Sequence, residues 1–228
     1  MIPKRKFSDL MRIVGEVSGL KCLQFVTSHP RYMSLGVIDA VAETPTACLN
    51  FHIPPQSGSN EVLDAMGRGH TREKYLQIVD RIRECVPDAA ISADMIVGFA
   101  GETEEQFLDT LKLMEEVKFD TVNTAAYSPR PNTPAAEWDN QLSEEVKQDR
   151  LQRINKLNLQ HAAERRARIL VEERNVKIPT QVMGRTTHGY IVYFDGDIDL
   201  LRGKLVNVKI HTCATYSLTG SFVEIVDE

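Results

Sequence analysis

From Phe7 to Pro134 the chain alternates short apolar runs with amphipathic helical ones, and that alternation restricts it to parallel βαβ units. Phe7, Leu10, Met11 and Val14 share one face of a first helix, and Leu35 to Ala42 forms another. Tyr75, Ile78, Val79 and Ile82 recur at i, i+3, i+4 and i+7 behind the cap residue Thr71. Thr103 and Gln106 form a capping-box pair that opens a helix on Phe107, Leu111, Met114 and Val117. Between the helices lie four expected parallel strands: Cys22 to Thr27, Ala47 to Ile53, Ala89 to Phe99 and Thr121 to Tyr127. Met95-Ile-Val97 is continuously apolar, as a strand buried on both faces requires. Four strands do not close an eight-stranded barrel, so an open, partial one is expected.

The pattern changes after a long helix predicted from Ser143 towards Leu170. Short runs at Gln181 to Arg185, Tyr190 to Phe194, Lys204 to Ile210 and Ser221 to Val226 are separated by Gly or Asp turns. They predict a small all-β barrel, with the boundary near Leu170 and domains at 1–170 and 171–228. The fold class expected is therefore α/β, a partial barrel of about four parallel strands followed by a small β-barrel.

A net charge of -5 gives no overall reason to expect nucleic acid. Charge is uneven, however. Val146 to Lys177 carries nine Lys or Arg against four Asp or Glu, which makes either a phosphate-facing surface or a solvated helix face. Cys22, Cys48, Cys85 and Cys213 lack the spacing of an iron–sulfur or zinc motif and are expected to be unpaired structural thiols. Without a signal peptide or a long apolar run, the chain is expected in the cytoplasm and not in a membrane.

The distinctive segments follow the C-terminal ends of the strands, where βα architectures build their sites. They are Thr27 to Pro30, Pro54 to Ser59, Gly98 to Thr103 and Tyr127 to Pro134. Pro55-Gln-Ser-Gly-Ser59 either lets backbone amides approach a polar ligand or forms an ordinary helix-entry turn. Gly98-Phe-Ala-Gly-Glu102 either admits a nucleoside-like ligand or lets chain and helix pack tightly.

The series Thr27-Ser-His-Pro30, Phe51 to Ser59, Met66-Gly-Arg-Gly-His-Thr-Arg72, Ile96 to Thr103 and Tyr127 to Pro134 resembles the radical S-adenosylmethionine (SAM) methylthiotransferases, in family order over nearly the whole chain. The nearest resemblance is to the MiaB type, and the β module resembles that family's TRAM domain. The resemblance implies a parent reaction that attaches a methylthio group to carbon 2 of N6-dimethylallyladenosine beside the anticodon of tRNA. It also implies SAM and [4Fe–4S] clusters as cofactors, the tRNA anticodon stem-loop as partner, and a target base drawn out of its stack. Relatives acting on threonylcarbamoyladenosine tRNA or on a ribosomal protein, or a non-catalytic RNA- or partner-binding remnant, are the alternative readings.

By resemblance, Gln56, Ser57 and Gly58 line the SAM pocket and Asp94 faces ribose hydroxyls. Gly98, Gly101 and Glu102 shape the next turn, and Tyr127 packs near adenine or the target base. Arg68 and Arg130 are candidates for carboxylate or phosphate contacts, and Arg185 and Lys204 for RNA. Each also has an ordinary reading, as a turn, a core residue or a surface charge.

The departures from the family are equally plain. The CxxxCxxC strand and the three-cysteine cluster domain have no counterpart in this sequence, so the chain alone is expected not to catalyse methylthiolation. Asn132 replaces a common Gly, and the first strand of the TRAM-like part is expected to be short near Leu170 to Lys177. From Ile178 to Glu228 there are four Lys or Arg against six Asp or Glu, a weak basis for phosphate contacts.

Overall fold

The computed structural model describes residues 6–20, 23–26, 29–163, 166–186, 191–214 and 217–226. Its first part is a parallel sheet in the order β1 (Asn50–His52), β2 (Ala90–Val97), β3 (Thr121–Ala126). Helices α1 (Phe7–Gly15), α2 (Leu35–Glu43), α3 (Asn60–Ala65), α4 (Arg72–Cys85) and α5 (Glu104–Val117) lie before and between these strands. Right-handed βαβ crossovers are the ordinary way to connect parallel neighbours of this kind.

Local sequence chemistry sets the helix starts. The Thr71 hydroxyl accepts the Lys74 amide at the head of α4. Thr103 and Gln106 form the reciprocal capping box of α5, satisfying amides that have no partner inside the helix. Lys118, in the left-handed region at φ 51, ends α5. Tyr75, Ile78, Val79 and Ile82 of α4 and Phe107, Leu113 and Met114 of α5 are buried together with Phe51, Ile91, Ala93, Met95 and Val97 of the strands.

The other face of the strands is more polar. Strand alternation and the register of the sheet place His52 beside Ser92 beside Thr121, and Asp94 beside Asn123, on the opposite face. A parallel sheet normally has both faces covered by apolar layers. The row of polar side chains here departs from that pattern.

The predicted strand Cys22 to Thr27 is reduced, among the described residues, to one parallel bridge between Leu23 and Ala47; Cys22, Thr27 and Ser28 lie outside them. The regular sheet thus has three strands, with that bridge in place of the fourth. Cys48 is disulfide-bonded, which corrects the expectation of four unpaired thiols, while Cys85 is free. Sequence spacing does not show which distant thiols pairing in space brings within reach.

Helix α6 (Glu144–Ala163) packs on β2, β3 and α5 and also against the second part of the chain. It ends earlier than the sequence predicts, because Arg166–Arg174 forms β4 by pairing with two strands. With β5 (Gln181–Thr186), β6 (Ile191–Asp195), β7 (Leu205–Ala214) and β8 (Ser217–Ile225), it closes a barrel in the order β4-β5-β6-β8-β7. The short helix α7 (Ile198–Leu201) plugs it. Tyr190 lies outside the described residues. Ile169, Val171, Val182, Val192, Phe194, Val206 and Val208 fill the barrel, and closure removes the free sheet edges that invite aggregation. Among the described residues no helix is long and apolar enough to cross a membrane.

Candidate functional site at the strand ends

Asp94 is the centre of the polar face. Its Oδ1 accepts from Asn123 Nδ2 at 2.9 Å, and its Oδ2 lies 3.3 Å from His52 Nε2. His52 Nδ1 is 3.0 Å from the buried Ser92 hydroxyl. An imidazole that donates from Nε2 and accepts from Ser92 on Nδ1 satisfies both contacts. The bond from His52 holds the Asp94 carboxyl below its ordinary value, and Asn123 and the nearby Arg68 act in the same direction against partial burial. A carboxylate fixed on both oxygens, yet more than a third exposed, is oriented to accept further hydrogen bonds.

Two acceptors lie on residues bonded to Asp94, one through its side chain and one through its backbone. Asn123 Oδ1 and Gln56 Oε1 are buried without a hydrogen-bond partner. Gln56 adopts φ 77, a region costly for a residue with a Cβ. Its backbone is pinned there, since its N–H donates to the Asp94 carbonyl (3.2 Å) and its carbonyl accepts the Ile96 amide (2.9 Å). Arg68 closes one side, donating to the Pro54 carbonyl at 3.2 Å, its guanidinium lowered by burial and steadied by Asp94.

The depressed Asp94 value fixes the sign of a pH effect. Such a group adds stability that is complete above its unfolded value, near pH 4, and lost as pH falls through the lower folded value. The stability gap between the wild type and Asp94→Asn is therefore expected to hold steady at neutral pH and to shrink below about pH 4. Urea midpoints at pH 7 and pH 3 measure it, and a gap that widens in acid contradicts the assignment.

The other sequence candidates fall into separate groups. Ser57 and Gly58 turn away into packing: Ser57 Oγ lies 3.2 Å from Thr110 Oγ1, and the Gly58 amide donates to the same hydroxyl at 2.9 Å. A Cβ on Gly58 would stand 2.3 Å from the Asp109 carbonyl oxygen of α5. Ser59 caps α3. Gly98 (φ 72), Gly101 (φ 75) and Glu102 do form one turn beyond β2. Glu102 is fully buried, with its Oε2 accepting from the Gly98 amide (2.7 Å) and from Arg150 of α6 (2.6 Å). Burial pushes the Glu102 carboxyl up, against the pull of Gly98 and Arg150. Tyr127 follows β3, its ring edge-on to Phe99 at 4.8 Å, and Trp138 is also edge-on to Phe99 at 5.7 Å.

Arg130 is exposed on the following loop, where Asn132 takes φ 66, a left-handed turn position that Asn tolerates. Arg185 is paired with Glu172 at 3.2 Å, and Lys204 is exposed where the chain enters β7. Both belong to the barrel and not to the strand-end group. Sequence reasoning missed His52, Ser92, Asn123 and Arg150. The signal for the first three was polar residues at alternate positions in otherwise buried strands; Arg150 carried none.

Comparison with known proteins agrees with this geometry. Residues 4–114, just under half of the chain, match the Radical SAM superfamily model. Residues 165–223 match the TRAM domain model, so this chain carries a radical SAM domain followed by a TRAM domain. Coproporphyrinogen III oxidase (HemN) from Escherichia coli, a radical SAM enzyme, superposes with a TM-score of 0.51 at 16% identity, over 82% of this chain and 46% of that one. At that identity the likeness shows the fold. Archaeal Elp3 from Methanocaldococcus infernus, with residues 1–46 deleted, gives a TM-score of 0.33 at 11% identity, over 82% of this chain and 56% of that one. The chain spans about half the length of either structure.

A radical SAM domain implies SAM and an iron–sulfur cluster. The residues at the strand ends fit SAM: Asp94, Asn123 Oδ1 and Gln56 Oε1 are acceptors, and ribose hydroxyls and an ammonium are donors. They do not fit a cluster. Among the described residues no three His, Cys, Asp or Glu side chains converge, and Cys48 and Cys85 supply no thiolate set.

Proposed function

We propose that this chain supplies the SAM-side wall and the RNA-holding barrel of a tRNA methylthiotransferase of the MiaB type, acting on N6-dimethylallyladenosine next to the anticodon. The observation that carries the SAM part is the Asp94 carboxylate held by His52 and Asn123, with two unpartnered acceptors on residues bonded to Asp94. SAM, when bound, supplies the activated methyl and adenosyl groups. In this reading Asp94 accepts the ribose hydroxyls, and Gln56 and Asn123 take the remaining donors. Arg68 faces a carboxylate, and Gly98, Gly101 and Tyr127 bound the adenine side. The TRAM domain suggests RNA binding. We assign the anticodon stem-loop to it, with Lys204 free to meet phosphate and Arg185 able to do so on leaving Glu172.

The test is equilibrium binding of S-adenosylhomocysteine to the full chain by calorimetry, which needs no turnover. Binding by the wild type, weakened about tenfold or more in Asp94→Ala, is the expected result; tenfold corresponds to about 1.4 kcal/mol. Equal affinity in both proteins, or none in the wild type, removes the assignment.

A further inference from the structure

Arg150 lies far from the strand-end acceptors in sequence, yet it is buried against the turn that borders them. Its Nη1 donates to Glu102 Oε2 at 2.6 Å and to the Glu102 carbonyl at 3.0 Å. Glu102 Oε2 in turn accepts the Gly98 amide at 2.7 Å. The two side chains are 5% and 0% exposed. The Phe107 ring lies 5.5 Å from the guanidinium carbon, a cation–π contact that favours this placement.

A second α6 residue reaches the same turn. Lys147 is buried under Gly98, where a Cβ would stand 2.6 Å from Lys147 Cγ. The loop before α6 adds a third hold, the Asn140 carbonyl accepting the Gly101 amide at 2.9 Å. Helix α6 and its approach thus grip both glycines of the turn.

Stability alone does not account for this arrangement. A buried ion pair costs several kcal/mol of desolvation per ion, and a well-packed apolar pair often does as well or better. Glu102 Oε1 is moreover buried without a hydrogen-bond partner, and Arg150 Nε has only the Glu104 carboxylate at 3.7 Å. What charge and fork geometry add over an apolar pair is direction: a carboxylate pinned by guanidinium fixes where the Gly98 N–H points. The turn then has one shape at the end of β2, four residues beyond Asp94. The same helix also packs against β7 of the barrel, so its position is shared with the RNA-side domain.

We infer that Arg150 is a positioning residue of the strand-end site: through Glu102 it fixes the Gly98–Glu102 turn in the conformation that bounds the nucleoside. The inference rests on the proposed SAM reading for its ligand, but not for the geometry of the turn.

The experiment compares the wild type, Arg150→Lys, Arg150→Gln and Asp149→Asn by amide hydrogen exchange and by S-adenosylhomocysteine calorimetry, well below each melting temperature. Asp149 is an exposed neighbour on α6 that pairs with Arg153 and controls for charge. In Arg150→Gln the amides of residues 98–102 are expected to exchange about tenfold faster and affinity to fall about tenfold, as for groups that orient a ligand-contacting shell. Arg150→Lys restores part of both, and Asp149→Asn changes neither. Faster exchange spread over the whole chain, or a turn and an affinity unchanged in folded Arg150→Gln, overturns the inference. If Arg150→Gln does not fold, the same comparison is read from Arg150→Lys, and an unchanged turn there overturns it as well. A wild type that binds no nucleoside defeats the SAM reading, while exchange in the turn still decides the role of Arg150.

Discussion

Glu102→Ala is expected to lower the unfolding free energy by about 3 kcal/mol, the cost of leaving the buried Arg150 charge with only the half-exposed Glu104 carboxylate at 3.7 Å. The Arg150 side chain is 5% exposed, so its charge cannot escape by turning into water. Removing the carboxylate also strips the Gly98 amide of its acceptor. Exposed pairs on the same helix give the contrast. Arg153 with Asp149 is partly solvated, and Asp149→Ala is expected to cost well under about 1 kcal/mol. The paired replacement Glu102→Leu with Arg150→Met is expected to regain most of the loss, since it removes both charges and keeps apolar volume. Urea denaturation with a fixed slope measures all of these. A Glu102→Ala loss no larger than that of Asp149→Ala shows that the pair is effectively solvated.

Much of the fold was legible because it is locally encoded. The caps at Thr71 and Thr103, the apolar stripe of α4 and the apolar β2 lie within short windows, and the structure has each of them. The failures came where pairing decides. Residues 162–174 could extend a helix as readily as form a strand, and only the partners β5 and β7 make Arg166–Arg174 extended. Leu23 to Val26 has the composition of a strand but makes one bridge among the described residues.

The site was legible only in part, for a physical reason. Asp94 was named through the family resemblance alone, and in the structure it is the centre of the polar face. His52 and Asn123 join it only through the register of three strands, which no single window contains. The Ser57-Gly58 pair illustrates the converse. A glycine flanked by hydroxyls has the same sequence whether a ligand or a helix approaches it, and here the nearer body is α5. Arg150 reads as a solvated helix residue until the turn beneath it is seen.

Gly58 supplies the second large effect. Gly58→Ala would place a methyl carbon 2.3 Å from the Asp109 carbonyl oxygen and 2.7 Å from the Thr110 Cα. These are backbone atoms in the middle of α5, so no side-chain rotation relieves the clash. Either the strand-end loop lifts off the helix or α5 shifts. Lifting would break the Gly58 amide and Ser57 hydroxyl contacts to Thr110, all of them buried. Overpacking of this kind costs typically about 1–3 kcal/mol, and the rigid backbone on both sides puts Gly58→Ala at or above the top of that range. Gly36 is the internal control. It lies within α2, its added Cβ would meet the Ser8 hydroxyl at an ordinary 3.5 Å, and helix propensity then favours Ala by up to about 1 kcal/mol. The two substitutions are chemically identical and are expected to move the urea midpoint in opposite directions. If Gly58→Ala is neutral, α5 does not press on this loop, and the segment from Pro55 to Ser59 is free to be shaped by a ligand.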